Sequence, residues 1–147
     1  MSLRKTFKTD KQAETDGVEM EVAVNEHNGQ PITIRLARMG PTNRRYTAEL
    51  NRVTKPHQSA IANDAMDNDL ARKMLREVFV NTILLGWNNL PKSELTGDAA
   101  DTQPLEFTPD NAHALFEELP ELYNDWEARA QKAAAFREKE KEVTTGN

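Results

Sequence analysis

Few residues in this chain have types and spacings that could do chemistry. The three histidines are His27, His57 and His113. His113 precedes Glu117 by four positions, a helical spacing that places both side chains on one face and can present two ligands to a metal ion. A closed site needs more ligands, and no matching position supplies them. Asn63-Asp64-Ala65-Met66-Asp67-Asn68-Asp69 is acidic enough to attract calcium. It lacks the glycine of the sharp turn and the trailing bidentate glutamate that a calcium loop requires, so helix capping is the better account. The chain has no cysteine, which excludes disulfides, thiolate catalysis and cysteine-ligated metal. Its glycines are scattered singly rather than gathered in a phosphate loop, and no serine sits in a nucleophile elbow. The expectation is a non-enzyme with no catalytic residue, no metal and no cofactor.

Two sets of side chains remain, and both point to binding. Arg35, Arg38, Arg44, Arg45 and Arg52, with Tyr46 beside them, form a candidate basic patch of the kind that meets nucleic acid. The simpler account is a solvated face paired with acidic residues of the same or a neighbouring subunit, so nucleic acid is not the expected partner. The other set is aromatic: Trp87, Phe107, Phe116, Tyr123, Trp126 and Phe136 lie in the second half. Most are expected in the core. Trp87, Leu90, Phe107 and Trp126 are the candidate partner interface. Trp87 is the first choice of anchor, because it directly follows an expected helix end, where a side chain either folds back or points outward.

These residues are positioned by elements that the hydropathy pattern delimits. Val18, Met20, Val22 and Val24 share one face and alternate at first with Glu19 and Glu21, Asn28-Gly29 supplies a turn, and Ile32, Ile34 and Leu36 alternate again. The reading is an antiparallel hairpin over 18–38 that must pack on something else to be stable. Helices are expected at about 42–54, 66–85, 109–119 and 120–142. The second has Leu75, Val78, Phe79 and Ile83 as its core face and Gly86 as a left-handed cap. Thr108-Pro109-Asp110 is a strong start for the third. Residues 1–16 are polar enough to read as a flexible arm, 17–136 as one globular domain, and 137–147 as a charged, solvated tail. The fold class is therefore mainly α (α+β): an N-terminal hairpin on a compact bundle of about four helices.

With 147 residues, a single domain can bury roughly 68–70% of its unfolded surface. The formal net charge of -5 argues against general nucleic-acid binding. The charge is split, with 10 Lys+Arg against 7 Asp+Glu in residues 1–60 and 9 against 17 in residues 61–147. That arrangement suits head-to-tail self-association, and homo-oligomerisation is expected. The basic N-terminus has no apolar stretch behind it, and the longest apolar run, Val78–Leu85, is far short of the roughly 20 residues that span a bilayer. A soluble protein of the cytoplasm follows as the expectation.

The order of features resembles the tail assembly chaperone family of long-tailed bacteriophages. The residues that carry the resemblance are Leu84-Leu85-Gly86-Trp87 and Leu105-Glu106-Phe107-Thr108-Pro109-Asp110-Asn111. Phe116 to Leu122, Gly17-Val18 and the Ala-Arg-x-Gly-Pro-x-Asn segment Ala37–Asn43 add to it, so that it covers most of residues 17–130. Asparagines 88 and 89 depart from the family, in which an acidic residue often follows the tryptophan. The resemblance implies binding to the tape measure protein and recruitment of tail tube protein in the host cytoplasm, with absence from the mature virion. It also implies a frameshifted longer form of the chain as a partner. A structural tail-completion or head–tail connector protein and a small DNA-binding regulator stand as alternatives.

Overall fold

The structure, a computed structural model, describes residues 2–137. Strands β1 (Val18–Val24) and β2 (Pro31–Leu36) form the antiparallel hairpin, with Val18 opposite Leu36 and Val24 opposite Pro31. Its turn is closed by the Asn25 amide donating to the Gln30 carbonyl at 2.8 Å, with Gly29 at φ +70°. Ile32, Ile34 and Leu36 are buried, as the alternation predicts, but Val24 is 58% exposed. The pairing steps from Glu21–Thr33 to Ala23–Ile32, which leaves Val22 as the extra residue of a β-bulge. One extra residue reverses the period-two phase, so everything after it changes face.

A third strand, β3 (Leu84–Asn88), pairs antiparallel with β2 and completes a sheet of order β1-β2-β3, with Ile34 opposite Trp87. This corrects the expectation of one helix over 66–85 ended by a left-handed Gly86. The helix spans Asn68–Val78, and one wide π turn follows over Phe79–Ile83, closed by the Leu84 amide on the Phe79 carbonyl. The chain is extended from Leu84 onward, and Gly86 is not among the glycines with positive φ. An apolar run such as Val78–Leu85 reads alike as a buried helix end or a buried strand. The tertiary context decides for the strand, because β2 offers an unpaired edge and a lone hairpin is marginal in water.

The long helices behind the sheet are α3 (Arg44–Thr54), α5 (Asn68–Val78), α7 (Pro109–Glu118) and α8 (Pro120–Gln131), with short α4 (Gln58–Ala62) and α6 (Ser93–Thr96) between them. The Asn43 side chain caps α3, and Thr108 Oγ1 accepts from the Asn111 amide at 3.1 Å to cap α7. The α-helix ends at Thr54, and Lys55-Pro56 opens the next segment. It forms a 3₁₀ turn, with the proline in a first-turn position where it has no intrahelical bond to lose.

The core is aromatic. Phe79 stacks edge-on against Phe116 at 5.8 Å and Tyr123 at 5.2 Å, and Phe116 meets Trp126 at 5.8 Å. Val78, Phe79 and Ile83 are fully buried, whereas Leu75 is 38% exposed and is not a core residue. Met74 and Val78, four apart, take the inward face of α5, and Leu75 lies one step round the helix from them. The last helix ends at Gln131 rather than near residue 142. A 3₁₀ turn over Ala133–Phe136 follows and buries Phe136. The charged segment 138–147 lies outside the described residues.

The segment expected as a loose arm holds α1 (Leu3–Phe7) and α2 (Lys11–Asp16), and α2 is built into the domain. Glu14 is 1% exposed. Its Oε1 accepts from Arg38 Nη1 at 2.8 Å and its Oε2 from Thr42 Oγ1 at 2.6 Å, while Asn43 Nδ2 donates to its carbonyl at 3.3 Å. The segment 37–43 is thus a clasp. Its successive amides tie three elements together: Ala37 to the Ile83 carbonyl, Arg38 to Glu14, and Met39 to Ala130, at 2.8–2.9 Å. Gly17, at φ +88°, follows α2, and a Cβ there would stand 2.7 Å from Leu85 Cδ1 and 2.8 Å from Arg35 Cγ. Glycine is required at this position on both counts.

Candidate partner interface

Trp87 folds back over the loop that follows it. Its Nε1–H donates to the Leu105 carbonyl at 2.8 Å, and its ring meets Phe107 edge-on at 4.8 Å and 89°. That loop is itself fixed by the Leu105 amide on the Leu90 carbonyl at 2.8 Å. Trp87 and Phe107 remain half-buried, so an indole locked in orientation still presents part of its surface. Strand pairing engages β3 on one side only. Gly86 opens a notch of about 190 Å³ lined by Glu19, Thr33, Arg35, Trp87 and Asn88, and a Cβ at position 86 would meet nothing within 4 Å.

Leu90 and Trp126, the other two residues of the expected interface, are 3% and 2% exposed and belong to the core. They are not surface anchors. They do form the floor, with Val22, Ile32 and Leu122, of an apolar groove of about 200 Å³ whose rim carries Glu94 and Asp125. The aromatic interface of the sequence reading therefore divides into a Trp87–Phe107 corner at β3 and a separate groove beneath the hairpin.

Asn89 holds these two regions in register. It stands at φ +63°, in the left-handed region that asparagine tolerates better than most residues. Its Nδ2 donates to the Pro31 carbonyl at 3.1 Å and the Gln30 carbonyl at 3.3 Å, and its Oδ1 accepts from Asn28 Nδ2 at 2.7 Å. Asn25, 4% exposed, donates to the Asn89 carbonyl at 3.1 Å. Neither Asn89 nor Glu14 stood out in the sequence. Asn88 and Asn89 together were visible only as a departure from the family that the chain resembles, and Glu14 carried no signal at all.

Four of the five candidate arginines have acceptors within the chain. Arg35 donates to the Asp16 and Gly17 carbonyls, and Arg38 is held by Glu14. Arg45 reaches the Asn81 carbonyl at 3.5 Å, and Arg52 pairs with Glu49 and lies 3.7 Å from Glu77. Arg44 is exposed. The pairing shows in the ionisation of both partners. A hydrogen bond from Arg52 pulls the Glu49 carboxyl below its ordinary range, and the same contact raises the Arg52 guanidinium. Arg38 and Arg52 are neutralised by carboxylates in this way, whereas Arg35 and Arg45 bond only to backbone carbonyls and keep their charge.

His27 Nε2 lies 2.8 Å from Ser93 Oγ, and among the described residues no cluster of three or more His, Asp or Glu side chains could hold a metal ion. Burial pushes the Tyr123 phenol far up, helped by its hydrogen bond to Glu127 Oε2 at 2.7 Å, and Arg76 lies over its ring at 5.3 Å. This phenol is a core group with a satisfied hydroxyl. No helix among the described residues is long and apolar enough to cross a membrane.

Fold and surface together define a small α+β domain whose distinctive features are an aromatic corner and an apolar groove. The chain belongs to the YdaY prophage protein family, whose model matches residues 41–147, and is a phage-derived protein. The matched region takes in α3 through α8, the Trp87 corner and part of the groove. No curated protein and no solved structure matches the chain.

Proposed function

We propose that this prophage protein is a tail assembly chaperone. In this reading it binds the tape measure protein in the host cytoplasm, recruits tail tube protein during tail morphogenesis and leaves the finished virion, working beside a frameshifted longer form of itself. Membership of a phage family and the order of motifs from Leu84 to Leu122 support the reading. The observation that carries it is the Trp87–Phe107 corner at the outer edge of β3. There a tryptophan fixed by its Nε1 hydrogen bond keeps a half-buried ring against Phe107, while the notch at Gly86 opens on the other face of the strand beside Glu19, Thr33 and Arg35. A pre-ordered ring loses little entropy on meeting a partner. Contacts of this small size give useful avidity only when repeated along an extended partner, as a tape measure protein would allow.

The test is capture of the tape measure protein encoded by the same prophage. Gly86→Arg fills the notch without a clash, because nothing lies within 4 Å of a Cβ there. It should keep the circular dichroism and Tm of the parent and lose capture. A Gly86→Arg protein that captures as well as the parent would remove the notch face of β3 from the binding surface, and the Trp87 variants test the opposite face. Finding the chain in purified virions would favour the structural tail-completion reading instead.

A further inference from the structure

We infer that the groove beneath the hairpin receives helix α1 of a second copy of this chain, making a head-to-tail contact. The groove has an apolar floor of Val22, Ile32, Leu90, Leu122 and Trp126, with Glu94 on its rim and Asp125, held by Arg129 at 2.8 Å, beside it. Helix α1 is its complement. Leu3 and Phe7, four apart on one face, are 79% and 65% exposed, the two most exposed large apolar residues among those described. Around them, Leu3-Arg4-Lys5-Thr6-Phe7-Lys8 carries three basic residues and no acid. Apolar stripe meets apolar floor, and Arg4 on the helix meets Glu94 on the rim.

Size agrees as well. The groove encloses about 200 Å³, and cavities of about 150 Å³ take up a benzene ring, so one phenylalanine side chain fits. The helix does not occupy the groove of its own chain, since Leu3 and Phe7 stand in solvent there. A helix of five residues, held at its start by Ser2 Oγ accepting from the Lys5 amide at 3.1 Å, is too short to be stable alone and gains order from docking. The excess of basic residues in the first 60 positions and of acidic residues beyond them orients the contact in the same sense. The donor surface differs from the acceptor surface, so each copy can use both, and the association grows past a dimer unless the ring closes. None of this depends on the chaperone reading.

Sedimentation velocity on the full chain tests it. The parent should show a mass that rises with concentration beyond a dimer and falls with added salt. Phe7→Asp should be monomeric with an unchanged Tm, its side chain being exposed. Leu122→Asp should remove the acceptor. Glu94→Arg, on the exposed rim, should weaken association by about tenfold or more, and serves if Leu122→Asp does not fold. The deciding measurement is a mixture. Phe7→Asp retains a groove and Leu122→Asp (or Glu94→Arg) retains a helix, so the two should form a one-to-one pair and nothing larger. A parent that stays monomeric at every concentration and low salt overturns the inference. So does association that survives Phe7→Asp, or a mixture that stays monomeric. Capture of the tape measure protein by monomeric Phe7→Asp is read separately, so either proposal can fail alone.

Discussion

Arg38 Nη1 donates to Glu14 Oε1 at 2.8 Å across 24 positions of chain, and the carboxylate it meets has a side chain only 2% exposed. The pair fixes α2 to the exit of β2. Burial by itself would raise the Glu14 carboxyl. Hydrogen bonds from Thr42, Thr9 and Arg38, with the charge of Arg38, outweigh burial and hold it below its ordinary value of 4.5. A carboxyl whose folded pKa lies below its unfolded one contributes stability above the unfolded value and loses it as pH falls through the folded value.

The first prediction follows from that sign. Glu14→Gln should lower stability near neutral pH by about 3–5 kcal/mol, because it leaves Arg38 largely buried without its charge partner. The difference from the parent should begin to shrink below about pH 4.5, where the carboxyl of the unfolded chain takes up its proton, and should vanish as pH falls through the lower native value. Urea melts of the two proteins from pH 3 to 7 measure it. A difference independent of pH would mean that the pair contributes packing and not charge.

The second prediction contrasts two neighbours on α5 and its extension. Phe79 is fully buried among Phe116 and Tyr123, and Phe79→Ala should cost about 3–5 kcal/mol. Leu75 is 38% exposed, and Leu75→Ala should change stability by under about 1 kcal/mol. Equal losses at the two sites would show that α5 buries a different face from the one described.

The same two residues mark what the sequence could convey. Helical spacing made Leu75, Val78, Phe79 and Ile83 look equivalent, since a run apolar on most sides does not say which face turns inward or where the helix stops. The hairpin, the Thr108 cap and the long helices were legible because each rests on local rules of alternation, capping and punctuation. The third strand was not, because Leu84–Asn88 becomes a strand only through the free edge of β2, some fifty residues earlier. Nor was the bulge at Val22, which turns Val24 to solvent: the alternation lapses at Val22-Ala23-Val24, and three apolar residues in a row do not say which faces inward. At the candidate site, Trp87 stood out because it follows Gly86, expected as a helix cap, but Gly86 lies within β3 and caps nothing. Leu90 and Trp126 were misjudged as surface, because residue type does not separate the floor of a groove from its rim.

The third prediction concerns Asn89. Asn89→Gly keeps access to φ +63° but loses the bonds to Asn28, Gln30 and Pro31, whereas Asn89→Ala loses both. Alanine should therefore destabilise more than glycine, with the alanine loss about 2–4 kcal/mol from strain and unmade bonds together. Denaturant unfolding of the two variants compares them directly. A glycine variant less stable than the alanine variant would show that the left-handed backbone at Asn89 carries no cost for a side chain.

The last prediction separates the two roles of Trp87. Its Nε1 bond to the Leu105 carbonyl fixes the loop, and its ring face is the proposed contact for the tape measure protein. Trp87→Phe removes the donor and keeps an aromatic ring against Phe107, so it should cost about 0.5–1.5 kcal/mol of stability and retain part of the capture. Trp87→Ala removes the ring as well and should lose more of both, since the side chain is half-buried and packed edge-on at 4.8 Å. Gly86→Arg supplies the contrast, losing capture at unchanged stability. Capture should therefore fall out of proportion to stability in Gly86→Arg, and in step with it across Trp87→Phe and Trp87→Ala. If capture tracks Tm in all three variants, the corner serves the fold alone and the partner meets another face.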